Sequence, residues 1–305
     1  MILPILARLF AVGMYAAACV NDAHLTNTVF KKIVPLVFYT QLMICAVAIP
    51  IVLLFGMPTI PEPKVFIALL ILSGIAVGYQ IPYYAALQRI DTSVVVAMFS
   101  LSRILVPITA FFLLGEILSV VQYLGFIVIV AAVLALNLKR NTEQNKKKTR
   151  INSAFFLMAA VAVLLSFETV LKKLALNNMD WHSVVFWYLV LGAGVTLTFL
   201  LPKTYRREIV ESASALRGNN KTFGLMLLFN IPPMFSAIWA LGFMPASVHK
   251  ALGSVTPIFT LLYNWIMHKF GYGNLCKEDV LGKDIARKLF YFAIIIIGVV
   301  MAVAG

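Results

Sequence analysis

Charge is what this sequence has least of. Of 305 residues only 12% are Asp, Glu, Lys or Arg, about half the share of an ordinary soluble domain. Cysteine is nearly absent: Cys19, Cys45 and Cys276 lie far apart, which excludes a disulfide framework and any CxxC metal spacing. They read as small apolar residues. Strand-like alternation does not persist anywhere, which excludes a membrane β-barrel. There is no phosphate-cradling glycine loop, no HExxH and no Gly-x-Ser-x-Gly, so no nucleophile or metal-ligand spacing is present. The chain reads as no enzyme, with neither cofactor nor metal.

What is there is apolar. Hydrophobic residues make up 62% and the mean hydropathy is +0.94. A soluble core of this length cannot hide that much apolar side chain, and a disordered chain would have far less of it. A polytopic membrane protein remains. The N-terminus carries Arg8 but no small-residue cleavage site, so the first apolar run is expected to stay as a helix. At about 30 residues per span with its loop, the length accommodates about ten spans. They fall at 4–30, 33–57, 64–88, 92–115, 119–138, 153–175, 181–201, 221–243, 246–270 and 287–304. The punctuation agrees: Met57–Lys64 holds three prolines, a tight loop. The net charge of +13, from 25 Lys and Arg against 12 Asp and Glu, reads as loop cations that set topology and touch anionic headgroups, not as a nucleic-acid surface. Nineteen of those cations fall in the odd-numbered loops and four on the even side. That count points both termini outward.

The polar stretch 139–152 divides the chain into a first half, 1–138, and a second, 153–305. The halves echo each other. Ala86-Leu87, Ser93 and Ala97 recur 154 positions later as Ala240-Leu241, Ser247 and Ala251. Val29-Phe30-Lys31-Lys32 recurs 141 positions later as Val170-Leu171-Lys172-Lys173. Five spans per repeat is an odd number, so the two halves must be inverted, an architecture common among secondary transporters.

With these features the chain resembles the drug/metabolite transporter superfamily in its EamA-type ten-helix form. The resemblance rests on the two five-helix halves, the Ala-Leu…Ser…Ala pattern entering the fourth and ninth helices, and Gly115-Glu116 after the fourth. It implies an all-α membrane protein of ten helices in two inverted repeats, with helices one, three, four, six, eight and nine around a central cavity. It places the chain as a multi-pass protein of a bacterial cytoplasmic membrane. Relatives of this kind often keep both termini cytoplasmic, against the charge count. Many carry a proline ten residues after the motif serine. The second half has it at Pro257, whereas the first half has Arg103 there and Pro107 one turn later. The second half also lacks the Gly-Glu ending and has His268-Lys269-Phe270 in its place.

Ionisable residues at bilayer depth are costly and normally face a cavity or a partner. Arg103 lies mid-span, and its planar fork suits a carboxylate or phosphate. It serves either as an anion site or in a permanent pair with Asp22 or Glu168. Asp22, with Asn21 and His24, interrupts the first span. It could hold a coupling proton or a substrate ammonium, unless the helix ends near Val20. Glu168 is either a second cation or proton site or the partner of Lys172, four residues on. His249 and Lys250 enter the ninth span, where Lys250 either adds positive field to the cavity or snorkels. Tyr79, Tyr83 and Tyr84 flank Pro82, and Trp239 lies near the repeat position of Tyr84; such aromatics line pockets or simply pack. Pro232-Pro233 should kink the eighth span.

Arg103 for a carboxylate and Asp22 or Glu168 for an ammonium suit an amino acid or an amino-acid-derived zwitterion, carried by alternating access with protons as the candidate coupling ion. The expected partners are this small molecule and membrane lipid, in a monomer or dimer. An exchanger of phosphorylated or nucleotide-linked anions competes, as does, from another class, a non-transporting assembly subunit.

Overall fold

A computed structural model of the chain describes residues 2–89, 95, 99–144, 153–256, 258–259, 262–263 and 284–304. Pro257, His268, Lys269 and Cys276 lie outside them. Every regular element among the described residues is helical. In lipid, a helix is the one open segment that satisfies its own backbone.

The first apolar run forms α1 (Ile2–His24) and continues as a π-helix over Leu25–Val29. It does not stop near Val20, so Asp22 lies within helix. The second run is α2 (Ile33–Cys45) and α3 (Ala48–Phe55), and the third is α4 (Pro63–Gly78) and α5 (Gln80–Leu87). Gly56, at φ +83°, ends α3. Pro63 starts α4 at the position where a missing N–H costs nothing. Then follow α6 (Ser100–Leu114), α7 (Val120–Gln144), α8 (Ser153–Leu176) and α9 (Trp181–Leu197). The chain continues through α10 (Lys203–Glu211), α11 (Asn220–Gly242), α12 (Ala246–Leu252) and α13 (Asp284–Ala304). α7 runs to Gln144, six residues past the expected end at 138. Lys139, Arg140, Glu143 and Gln144 are strong helix formers and propagate the helix past its apolar part. α11 is continuous through Pro232-Pro233.

Among the described residues, five segments are long and apolar enough to cross a membrane: Ile2–Val29, Ile33–Phe55, Pro63–Leu87, Trp181–Leu200 and Asn220–Gly242. Leu105–Leu114, Val120–Ala132 and Phe290–Val303 are shorter apolar helices. Apolar side chains such as Leu53, Leu54, Phe112 and Phe156 point outward, the surface a bilayer requires. This is a multi-pass integral membrane protein.

α1 packs along α11, and α8 packs against α4, α5 and α6. α9 lies on α2, α3 and α4, while α7 pairs with α13. Contacts beyond the helices sort the connections into two groups. Lys32 pairs with Glu208 at 3.1 Å and the Tyr39 hydroxyl donates to Ile209 O at 2.7 Å, so the turn after the π-helix lies beside α10. Away from there, Thr59 N donates to Ser183 Oγ and Trp187 Nε1 to Thr59 O, joining the α3–α4 loop to the start of α9.

The α7–α13 contact is the tightest. A β-carbon on Gly125 would lie 2.7 Å from Gly298 O and 2.8 Å from Ala302 N, both backbone atoms that cannot give way. Without a hydrophobic drive between helices in lipid, such close approach of small residues provides the packing energy. Gly125→Ala should therefore lower stability by about 1–3 kcal/mol, read as a fall in the melting temperature of detergent-purified protein. Gly74→Ala, where a β-carbon meets nothing within 4 Å, should leave it unchanged. Equal melting of the two variants would contradict the close crossing.

Candidate functional site

The site is built around α12. Gly115, left-handed at φ +67°, ends α6 and turns the chain so that Glu116 reaches the start of α12 in the other half. Its Oε1 accepts from Ala246 N at 2.8 Å. Its Oε2 accepts from Ser247 N at 3.4 Å and from Ser247 Oγ at 3.1 Å. A carboxylate here satisfies orphan N–H groups and complements the positive helix end. The helix then tightens to a 3₁₀ turn over Gly253–Val255.

Two arginines close on that tightened turn. Arg8 of α1 donates from Nε to His249 O at 3.1 Å. Arg103 of α6 donates from Nη2 to Gly253 O at 2.7 Å. A β-carbon on Gly253 would come within 3.1 Å of Arg8 Nη2 and 3.8 Å of Arg103 Nε, so both guanidinium groups flank the same α-carbon. Arg8 and Arg103 are buried, and Arg103 points into the bundle, away from lipid. Lys250 leaves α12 toward α8, where Nζ donates to Thr169 Oγ1 at 3.3 Å and Leu165 O at 3.5 Å. One turn along α8, Glu168 holds Lys172 at 2.5 Å. Lys250 lies within Coulombic reach of Glu168, Arg8, Arg103 and Lys172. Tyr15 is close to Arg8, Lys172 and Glu168, and Lys172 sits 4.8 Å over the Tyr188 ring.

The cluster thus brings Arg103, Glu168 and Lys250 together from both halves. It does not bring Asp22. Fourteen residues separate Arg8 from Asp22 along the first helix, about 21 Å at 1.5 Å per residue. Asp22 accepts from the Tyr83 hydroxyl at 3.1 Å and lies beside Tyr84. Asn21 Nδ2 donates to Thr222 O. His24, half-buried, marks the change to the π-helix, a geometry concentrated at functional sites. There Thr26 Oγ1 is buried with no hydrogen-bond partner among the described residues. Tyr79 stands between the two groups, within Coulombic reach of both Glu168 and Asp22. Trp239 meets the tilted Phe243 ring at 4.9 Å between centroids and packs with the α7–α13 cluster. An open cleft of about 450 Å³ lies elsewhere, between the 59–62 and 176–180 loops.

Arg8, Tyr15, Thr169 and Ser254 escaped the sequence reading. Arg8 was legible: it sits inside the first apolar run, yet reads as a topology charge when loop cations are counted.

The comparisons agree with this architecture. No curated protein matches the sequence. A crystal structure described only as that of a protein superposes with a TM-score of 0.60 at 17% identity, covering 99% of this chain and 96% of that chain; this likeness shows the fold alone. Residues 6–138 match the EamA-like transporter family, whose members are integral membrane transporters. The match bears out the resemblance to the drug/metabolite transporter superfamily over residues 6–138, the first half of the chain.

Proposed function

We propose that the protein is a secondary active transporter that moves a small zwitterion, an amino acid or an amino-acid-derived metabolite, by alternating access. One observation carries this reading: two arginines, a lysine and a carboxylate meet inside the membrane on helices from both halves. Charges buried in a bilayer mark substrate or ion pathways. A site shared between halves changes shape when one half rocks against the other.

The helix packing supports two inverted five-helix repeats. Under that symmetry the α1–α11 contact is the counterpart of α8 on α4 and α5, and α7 pairs with its own counterpart α13. Arg103 and Lys250 hold the anionic end of the substrate. Glu168 takes the ammonium in exchange for Lys172. Asp22, too distant to share the same small ligand, is left for coupling. Its partner Tyr83 and the adjoining π-helix give it surroundings that differ between protonated and ionised forms, and each form favours a different opening.

Two measurements test this. A thermal-shift screen against amino acids should find a stabilising ligand. Arg103→Lys should keep the fold but weaken that ligand by about tenfold, because the bidentate fork is lost, and Arg103→Ala should weaken it further. Loss of folded protein with unchanged affinity in the remainder would make Arg103 a purely structural tie. In liposomes, an imposed pH gradient should drive uptake by the wild type and fail to drive it in Asp22→Asn. Uptake indifferent to the gradient in both would remove Asp22 from coupling.

A further inference from the structure

We propose that α10 is an interfacial helix that binds anionic phospholipid, and that the lipid it holds steadies the tie between the two halves on its side of the membrane. The lipid contact needs no substrate. Its effect on transport rests on the reading of the protein as a transporter.

One face of α10 is left free of the protein. Lys203, Arg206, Arg207 and Val210 recur at the i, i+3, i+4, i+7 spacing of a single helix face. All four are exposed, Val210 at 67%. Lys203 and Arg206 make no ion pair among the described residues, and Arg207 shares an exposed one with Glu211. The other side meets the protein. Ile209 is buried, the Tyr205 ring sets its edge to Phe199 at 6.5 Å between centroids, and Glu208 takes Lys32. Cations around an exposed apolar residue fit the headgroup layer, where their stems lie along acyl chains and their charges meet lipid phosphates.

The position of α10 puts it in that layer. It begins three residues after the span Trp181–Leu200, and the next span starts at Asn220. Leu201, at its foot, is 80% exposed. Lys31, Arg217 and Lys221 are further exposed cations of the same end of the bundle. Against them α10 sets two carboxylates, Glu208 and Glu211, and each is already paired. The surplus of positive charge at headgroup depth calls for a negative lipid.

The internal echo shows that the fold itself does not need this helix. The Tyr39 hydroxyl donates to Ile209 O at 2.7 Å, and Trp187 Nε1 donates to Thr59 O at 2.8 Å. Each donor is the seventh residue of its helix, α2 or α9, and each acceptor is a carbonyl of a connection in the other half. Tyr39 and Trp187 stand 148 positions apart and Thr59 and Ile209 150, between the 141 and 154 of the sequence echoes. Under the proposed inversion the two ties are counterparts at opposite membrane faces. Their connections differ. The first-half one, 56–62, has two prolines and no cation, whereas the second-half one holds α10. A tie of this kind forms without a basic helix, so the cations of α10 answer to something outside the protein. Lys32–Glu208 and Tyr39–Ile209 both leave from the inner side of α10, and a lipid held on its outer face steadies both.

The test places the full chain in phosphatidylcholine nanodiscs with and without phosphatidylglycerol and reads amide hydrogen exchange. Phosphatidylglycerol should slow exchange in α10, and the slowing should extend to Lys31 and Lys32 in the turn tied to it. Raised salt should weaken the effect. Each cation at an anionic surface strengthens binding about fivefold, so Arg206→Gln should need about fivefold more phosphatidylglycerol for the same slowing. Lys203→Gln, Arg206→Gln and Arg207→Gln combined should melt like wild type in phosphatidylcholine, because all three side chains are exposed, and should lose the response. Tyr39→Phe with Glu208→Gln unties the helix: phosphatidylglycerol should still slow α10 and leave residues 31–32 unchanged. Exchange in α10 that is alike in both lipids, a triple variant that responds like wild type, or the same slowing by inorganic phosphate in phosphatidylcholine would overturn the lipid site. Slowing that reaches residues 31–32 equally in the untied variant would overturn the steadying of the tie. No substrate enters these measurements, so their failure leaves the transport reading standing, and a ligand screen that finds nothing leaves the lipid site standing.

Discussion

A backbone carbonyl in hydrocarbon has no water to turn to, and an unmet one costs several kcal/mol. Where α12 tightens at Gly253 the regular helical ladder changes pitch, and Arg8 and Arg103 reach in from α1 and α6 to bond His249 O and Gly253 O. The same two bonds solve the opposite problem, because a guanidinium buried at that depth needs oxygen acceptors. Each defect satisfies the other, and the bundle is arranged so that three helices from two halves meet there.

Other features follow from holding that junction. Glu116 reaches across from the first half to fix the N-terminus of α12, so the register of His249, Lys250 and Gly253 is set from outside their own half. α8 presents Glu168, Thr169 and Lys172 on the facing side. Away from the junction the α7–α13 pair is packed to backbone contact through Gly125 and Gly298. The turn after the π-helix is tied to α10 by Lys32–Glu208 and Tyr39–Ile209. A close-packed frame surrounds a polar centre, and the π-helix in α1's continuation and the 3₁₀ turn after α12 each fall at one of the two polar groups.

Much of this was legible in the sequence. The apolar runs, the proline-rich 57–64 loop and the Gly115 break lie where helices begin and end, because span length and backbone geometry are local properties. α7 overran its expected end, since helix propensity continues past the apolar stretch. Arg103, Glu168 and Lys250 are expensive residues in the wrong solvent, and cost alone picks them out. What cost cannot give is distance. Asp22 and Arg103 look like partners on composition, yet one helix keeps Asp22 far from the arginines. Glu116, read as the end of a motif, caps a helix 130 positions away. Ser254 carries no signal at all until its hydroxyl is found buried without a partner among the described residues. Pairings between halves depend on how the halves dock, and the sequence states that only through weak echoes.

The central claim is that the α12 cluster is reached in turn from the two sides of the membrane. In liposomes holding a variant without native cysteines, a single cysteine placed at Thr169, next to Lys250 Nζ, can be challenged with an impermeant thiol reagent from outside and, separately, from the lumen. The account predicts labelling from each side, at rates that a saturating substrate slows and that shift in opposite directions when the equilibrium is biased toward one opening. Labelling from one side only, under every condition, or from neither, would contradict it.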